Sequence, residues 1–561
     1  MTTSDPALQL CRDLAASLAT LGVRTVALSP GSRNTPLALA FAAEPALDLT
    51  VHHDERSAGF FALGAGKATG VPSVLICTSG TAAAHYFPAV IEAYHARVPL
   101  VVMTADRPPE LRGTNAPQTI DQIDLYGGAV KLFHEVGVPD DVVAATAPDL
   151  AIRVWAASMD APSGPVHINF PFREPLLTGP VPHPDPGLRS VHYTAAGGSP
   201  DRDLLGEAAS ELKGKKTLIV VGGRQAGDSA EIIAETGNTK HVPVLAGPQA
   251  RVRGRATIYH ADQLAAAGMF DRLEPEAVIR LGPIPTSKPL WRWLGETRYT
   301  TQISIDIGPW RDAIGFDLAI RGEPALVLGE LGLEPGDPEW LGAWKEADRT
   351  AGDAIAAALE HEVFPNEPSI ARVTYGSAPS DSIVYAGSSM PIRDLDAFSG
   401  EPRDDIEVLA NRGANGIDGL LSTAAGTARA AGKRVTALAG DVTTLHDIGA
   451  LAFIGRDESP VTIVVVNNNG GGIFHFLPQA AGEHVPGPVF EELFGTPHGL
   501  DFAAVAAAFG VPSTRAEDQD ELSKLVSEPG IGPLLIELHT ERRANVDVHR
   551  RIGEAVRAAL T

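Results

Sequence analysis

Asp441 closes one apolar run of this chain, RVTALAGD, and Asn468 follows the next, VTIVVVNNNGG. The two residues are 27 positions apart, about the length of a strand–helix–strand unit. In a parallel sheet both would project side by side from the carboxyl edge. Their side-chain oxygens, with nearby loop carbonyls, suit Mg²⁺, which keeps substrate phosphates in its shell; Mn²⁺ is the alternative ion. Glycines flank both residues, Gly440 on one side and Gly470 and Gly471 on the other, and let backbone N–H groups close on a diphosphate. Either half alone reads as an Asp N-cap or an Asn-Gly turn. The pair at this spacing favours the metal–diphosphate reading.

Together the halves resemble the thiamine-diphosphate (ThDP) signature, which runs Gly-Asp-Gly and ends in paired Asn; here Val442 takes the third place. That resemblance gives meaning to Glu55, in TVHHDERSAGFFALG. An acid at a helix start is favoured by the helix dipole in any protein. Facing an aminopyrimidine in a pocket with little water, the same carboxyl would hydrogen-bond ring nitrogen N1′ and promote removal of the thiazolium C2 proton.

Cations cluster in loops after apolar runs. Ser32 and Arg33 lie in SPGSRNTPL, Arg107 in TADRPPELRG, Ser389 and Arg393 in GSSMPIRD, and Arg412 in NRGANGIDG. A lone surface arginine is usually solvated, whereas several on short loops stiffened by Pro or Gly fit carboxylate recognition by a planar guanidinium. Gln118 adds an amide or simply forms a turn, and Lys288 is the one basic residue of PTSKPL. TSGTA, Thr78 to Ala82, offers backbone N–H groups to an anion or forms a tight turn. Ile417 reads as an apolar wedge that bends ThDP, and Ile473 and Phe474 as walls of a substrate cavity, with core packing as the competing role for all three. His52, His53, His446 and His475 fall near these segments without a definable role. No H-x-x-x-H, G-x-S-x-G or P-loop pattern occurs.

Positioning these loops requires strands alternating with Ala-rich helices, and this pattern runs along the whole chain. It predicts an α/β protein of three doubly wound parallel-sheet domains: residues 1–182, 190–345 and 360–561. A Pro- and Gly-rich stretch, TGPVPHPDPGLRS, reads as the first linker. Gly222-Gly223-Arg224 lacks dinucleotide-motif spacing, so the middle domain reads as structural.

The 561 residues exceed a single core. A net charge of −24 opposes nucleic-acid binding. No apolar run approaches the ~18–20 residues of a membrane span, and MTTSDPALQL lacks signal-peptide features. Cys11 and Cys77 are the only cysteines, which excludes a disulfide framework and favours the cytoplasm.

SPGSRNTPL, HHDERSAGFFALG, TSGTA, TADRPPEL, NRGANGIDGLLSTAAG and GDVTTLHDIGAL…VVVNNNGGGIF together resemble the SEPHCHC synthase family of menaquinone biosynthesis (2-succinyl-5-enolpyruvyl-6-hydroxy-3-cyclohexene-1-carboxylate synthases). The resemblance implies a transferase that decarboxylates 2-oxoglutarate and adds the resulting succinyl carbanion to isochorismate. It implies pyrimidine-binding, middle and diphosphate-binding domains in that order. It also implies self-association, as dimer or tetramer, with active sites shared between subunits. Carried over, Glu55 activates the cofactor. Asp441, Asn468 and the Gly470 carbonyl hold the metal. Ser389, Ile417, Gly471 and Ile473 contact ThDP. Ser32, Arg33, Arg107, Gln118, Lys288, Arg393, Arg412 and Phe474 meet substrate. Pro117 stands where some relatives have Asn, so only Gln118 offers an amide there. Two alternatives share the signature: another ThDP-dependent 2-oxoacid decarboxylase or carboligase, and a non-catalytic binding protein on the same fold.

Overall fold

Short runs rich in Val, Ile and Leu form strands buried on both faces, as in SVLIC and VTIVVVN, the pattern expected where helices cover both sides of a parallel sheet. The computed structural model describes residues 5–184, 200–225, 227–297, 300–308, 314–400, 402–482 and 484–561. Residues 185–190 of the Pro- and Gly-rich linker lie outside them.

The strands form three six-stranded sheets. The first contains β1 (Thr25–Leu28), β2 (Asp48–Val51), β3 (Ser73–Cys77), β4 (Leu100–Asp106), β5 (Phe133–Glu135) and β6 (Pro165–Pro171), in the order β2-β1-β3-β4-β6-β5. The second contains β7 (Thr217–Val221), β8 (Val244–Ala246), β9 (Thr257–Ile258), β10 (Ala277–Leu281), β11 (Thr301–Asp306) and β12 (Leu318–Arg321), in the order β12-β11-β10-β7-β8-β9. The third contains β13 (Ser382–Ala386), β14 (Ile406–Ala410), β15 (Val435–Gly440), β16 (Val461–Asn467), β17 (Ser513–Arg515) and β18 (Leu534–His539), in the order β14-β13-β15-β16-β18-β17. All pairs of the first two sheets are parallel, as are β13–β14, β16–β18 and β17–β18.

In each sheet the chain lays one strand, or two in the middle sheet (β8 and β9), to one side of the first and then crosses back to the other side. The crossing opens a crevice at the carboxyl ends of the two strands involved, the usual ligand position in such folds. These crevices lie between β1 and β3, β7 and β10, and β13 and β15. The middle one is closed by its own backbone: a Cβ on Gly222 would stand 1.5 Å from the Pro283 carbonyl oxygen.

The chain divides into two compact units, Met1–Ala196 with Asn411–Val435 and Leu445–Val461, and Gly197–Ala410 with Thr436–Thr444 and Thr462–Thr561. Within the first unit, the Glu55–Thr69 helix is capped by the Asp54 carboxylate, which accepts from the N–H groups of Arg56 and Ser57, and it stops at Gly70 with φ 70°. It crosses the Leu420–Ala431 helix at backbone contact. A Cβ on Gly64 would lie 2.0 Å from the Thr423 carbonyl oxygen, and one on Gly426 would lie 1.9 Å from that of Phe61. Thr427 Oγ1 donates to the Gly64 carbonyl at 3.2 Å across the crossing.

Alanine would strengthen either helix in isolation, by up to ~1 kcal/mol over glycine. Here the obstructing atoms belong to a backbone and cannot swing aside. Gly64→Ala and Gly426→Ala are therefore expected to lower the unfolding free energy by about 1–3 kcal/mol, the usual cost of overpacking. Urea titration checks this, and an unchanged or raised midpoint would mean that the helices can separate freely.

Candidate active site

In the second unit, β15 ends at Gly440 and β16 at Asn467, so Asp441 and Asn468 stand at the carboxyl ends of adjacent strands. Asp441 is 2% exposed. Its Oδ1 accepts from the Val442 N–H at 2.7 Å, and its Oδ2 accepts from the Gly470 N–H at 2.9 Å and lies 3.2 Å from His498 Nε2. Asn468 donates from Nδ2 to Glu367 Oε1 at 2.8 Å, while its Oδ1 is buried without any hydrogen-bond partner. Such an oxygen costs on the order of 1–3 kcal/mol unless a cation or donor meets it. Gly470 has φ 135°, and a Cβ there would lie 1.9 Å from the Gly495 carbonyl oxygen; one on Gly471 would lie 2.2 Å from that of Phe494. The turn therefore admits only glycine. One carboxylate, one orphaned amide oxygen and a tight glycine loop fit a hard divalent ion holding a diphosphate. Among the described residues no group of three or more His, Cys, Asp or Glu is placed to hold a metal.

The same unit carries Ser389 and Arg393 in and after the loop that follows β13. Ser389 has φ 74° and precedes the Met390–Phe398 helix, and its carbonyl accepts from Arg393 Nη1. Lys288 is exposed and opens a helix whose cap, Ser287, donates to Asp262 Oδ1 at 2.7 Å. Burial pushes the Asp262 carboxyl up, while the Ser287 hydrogen bond and the charges of His549 and Arg393 pull it back. Ile473 and Phe474 are half-buried in the turn after Gly471, with Phe474 5.6 Å from Phe494.

In the first unit, Arg33 is 6% exposed; Nη1 donates to the Phe172 carbonyl at 3.0 Å and Nη2 to Glu174 Oε1 at 2.8 Å, leaving Nε without a partner. Arg107 follows β4, with Nη1 on Ser79 Oγ at 2.6 Å and Nη2 on the Pro117 carbonyl at 3.0 Å. Burial pulls the Arg107 guanidinium down, and the charge of Arg33 adds to this, so two cations share one region. Gln118, at φ 56°, donates to the Ser79 carbonyl at 3.0 Å. Ser32 is exposed at the start of the same loop as Arg33. Of the TSGTA turn, the Gly80 N–H is taken by Gln122 Oε1 at 2.9 Å and is not offered to an anion. Glu55 is half-buried at the first position of its helix. Its charge adds to the burial that pushes the Cys77 thiol and the Tyr86 hydroxyl up, which puts it near the end of β3.

Arg412 is exposed and Ile417 half-buried on the loop before the Leu420–Ala431 helix. Glu92, 1% exposed, holds that loop by accepting from the N–H groups of Gly413, Ala414 and Asn415 at 3.0, 2.7 and 2.9 Å. Lys67 stands 3.8 Å from Glu92 and donates to Asn411 Oδ1 at 2.8 Å. Glu92, Glu174, Glu367 and His498 are absent from the motif reading. Each looks like an ordinary loop or helix residue in sequence, and its partners are distant along the chain.

Family models match both ends of the chain: the thiamine pyrophosphate enzyme N-terminal TPP-binding domain over residues 9–125 and the C-terminal TPP-binding domain over 407–538. The solved structure of benzoylformate decarboxylase from Polynucleobacter necessarius shares the fold, with TM-score 0.71 over 95% of this chain and 98% of that one at 18% identity. Fold and matched domains thus define a ThDP-dependent enzyme. Across nearly its whole length the chain is 39% identical to the 2-succinyl-5-enolpyruvyl-6-hydroxy-3-cyclohexene-1-carboxylate synthase of Chloroflexus aurantiacus, covering 98% of this chain and 96% of the relative. Identity to the synthases of Geobacillus thermodenitrificans and Myxococcus xanthus is 40% and 38%, over 95% and 96% of this chain and 94% and 95% of theirs. The chain belongs to this synthase family.

The histidines near the site have separate environments. His53 is exposed, the His446 carbonyl accepts from Arg56 Nη2 at 2.7 Å, and His475 lies 3.6 Å from Glu491. His52 is 3% exposed, between the rings of Phe453 at 4.3 Å and Phe61 at 4.6 Å, and burial pulls it down to about 3, helped by Arg456 and His53. Burial likewise brings His167 to about 3. An unfolded histidine titrates near ~6.5, so below that pH the unfolded chain binds protons that the folded chain refuses. Stability is full above pH ~6.5 and falls with acidification by about 1.4 kcal/mol per pH unit for each histidine. His52→Phe is expected to remove one such contribution between pH ~6 and ~5, read from urea unfolding at several pH values. An identical slope in the variant would mean that His52 is not held neutral.

Proposed function

We propose that the chain uses ThDP and Mg²⁺ to decarboxylate 2-oxoglutarate and to join the remaining four-carbon unit to isochorismate, forming the succinylated cyclohexene carboxylate for which its relatives are named. The single observation that carries the cofactor part is the buried, unpartnered Asn468 Oδ1 beside Asp441 at adjacent strand ends. Asp441, Asn468 and the Gly470 carbonyl hold the metal, and the same oxygens accept Mn²⁺. Gly471, Ser389, Ile417 and Ile473 shape the cofactor site. When bound, ThDP supplies a carbon nucleophile and an electron sink. Glu55 holds the proton shared with ring nitrogen N1′.

The substrates are both dicarboxylates. Arg33, Arg107, Arg393, Arg412 and Lys288 supply the cations, with Ser32, Gln118 and Phe474 completing the walls. Arg33 already binds a carboxylate of its own chain, Glu174, whose side chain is 71% exposed, so a substrate carboxylate replaces Glu174 with little rearrangement. The domains are pyrimidine-binding over 1–182, middle over 190–345 and diphosphate-binding over 360–561. The chain self-associates as a dimer or tetramer, with each active site completed by two subunits. It works in the cytoplasm: no helix among the described residues is long and apolar enough to cross a membrane, and both cysteines are free and buried.

Incubation with ThDP, Mg²⁺, 2-oxoglutarate and isochorismate should yield CO₂ and the joined product by mass spectrometry. Decarboxylation that never incorporates isochorismate would point instead to a simple decarboxylase, and ThDP binding without turnover to a binding protein. Glu55→Gln should retain ThDP and metal by calorimetry but turn over about 10²–10⁴-fold more slowly.

Mixing inactive Arg107→Ala with inactive Asp441→Ala protein should restore part of the activity, because one site of each hybrid is intact. Where subunit exchange is demonstrated, absence of any recovery rejects sites shared between subunits.

A further inference from the structure

An asparagine amide can present either its oxygen or its nitrogen to a cation, and only the oxygen binds one. At Asn468 the choice is made by a neighbour. Nδ2 donates to Glu367 Oε1 at 2.8 Å, which turns Oδ1 away from Glu367 into a buried position with no partner. Flipping the amide would set two oxygens face to face at that distance and aim two N–H donors at the cation. Gly472 makes room for this orientation, since a Cβ there would lie 2.5 Å from Asn468 Nδ2.

Glu367 is itself held firmly. It is 3% exposed at the first position of the Glu367–Ser377 helix, and Thr540 Oγ1 donates to the same Oε1 at 3.2 Å. Close behind it stands Asp394, 2% exposed and 2.8 Å from His549 Nε2, whose Nδ1 lies 2.9 Å from the Asn545 carbonyl. Two buried carboxylates side by side are costly to any fold. Packing alone does not require them, since apolar residues of similar volume would fill the space at least as well.

We propose that Glu367 is a positioning residue for the metal: it fixes the polarity of the Asn468 amide so that Oδ1, not Nδ2, faces the cation. This rests on the reading of Asn468 as a metal ligand. Partners that orient a ligand typically change metal affinity by about 10–100-fold when removed.

The test is Mn²⁺ binding to the full-length protein with ThDP present, followed by electron paramagnetic resonance, alongside the melting temperature of the metal-free protein. Glu367→Gln keeps the shape but offers either an oxygen or an N–H to the amide; Glu367→Leu offers neither. Glu367→Leu should weaken Mn²⁺ binding about 10–100-fold, and Glu367→Gln less, since its amide can still turn an oxygen to Nδ2. Wild-type Mn²⁺ affinity in Glu367→Leu overturns the proposal, as does a loss matched by a lowered metal-free melting temperature in that variant. Should Glu367→Leu not fold, Glu367→Met, which also offers no strong acceptor, decides in the same way. Asn468→Ala separates the two levels: retained Mn²⁺ affinity there rejects Asn468 as a ligand, whereas loss in Asn468→Ala with none in Glu367→Leu rejects only the positioning role.

Discussion

The crossing of the Glu55–Thr69 and Leu420–Ala431 helices is the constraint on which the first unit depends. Two backbones touch there, at Gly64 against Thr423 and at Gly426 against Phe61, leaving no side chain between them to adjust. A helix whose middle is pinned this way has a fixed first turn, and that turn carries Glu55. The other helix begins at Leu420, so the loop before it, with Arg412 and Ile417, starts from an equally fixed point. Glu92 and Lys67 then hold the loop from the side. A buried backbone contact about two turns away thus holds the Glu55 carboxyl in one place.

The second unit solves a different problem, that of keeping oxygen atoms available. Most buried acceptors in a protein find donors. Around Asp441 they do: Val442, Gly470 and His498 all approach its oxygens. Asn468 is the exception, because Glu367 takes its nitrogen and nothing takes its oxygen. The glycine turn behind it packs against the carbonyls of Phe494 and Gly495, so the loop cannot collapse inward to fill the gap.

Much of this architecture is legible in the sequence because buried parallel strands write themselves as apolar runs. TVAL, SVLIC, TLIVV and VTIVVVN all appear as strands. The edge strands β5, β9 and β17 are two or three residues long and carry no such run, so periodicity passes over them. At the site, residues that follow apolar runs directly are legible as strand-end residues: Asn468, Arg33 and Arg107 occupy loops after their strands, and Asp441 opens the short helix that follows β15. Glu367 is not. In FPNEPSI it is indistinguishable from any acid at a capped helix start, and its partner Asn468 is 101 positions away. Glu92 resembles a surface acid on an amphipathic helix until the fold brings Lys67 and three backbone N–H groups to it.

Cys77 ends β3 close to Glu55, and Cys11 lies in the first helix; both are fully buried, and burial pushes both thiols well above their ordinary range. At neutral pH neither presents a thiolate, the form that oxidants and alkylating agents attack. The folded protein is therefore chemically silent toward maleimides and peroxide at its native cysteines. A single cysteine introduced on the surface would carry a spin label or fluorophore with no background, and neither native thiol need be replaced first.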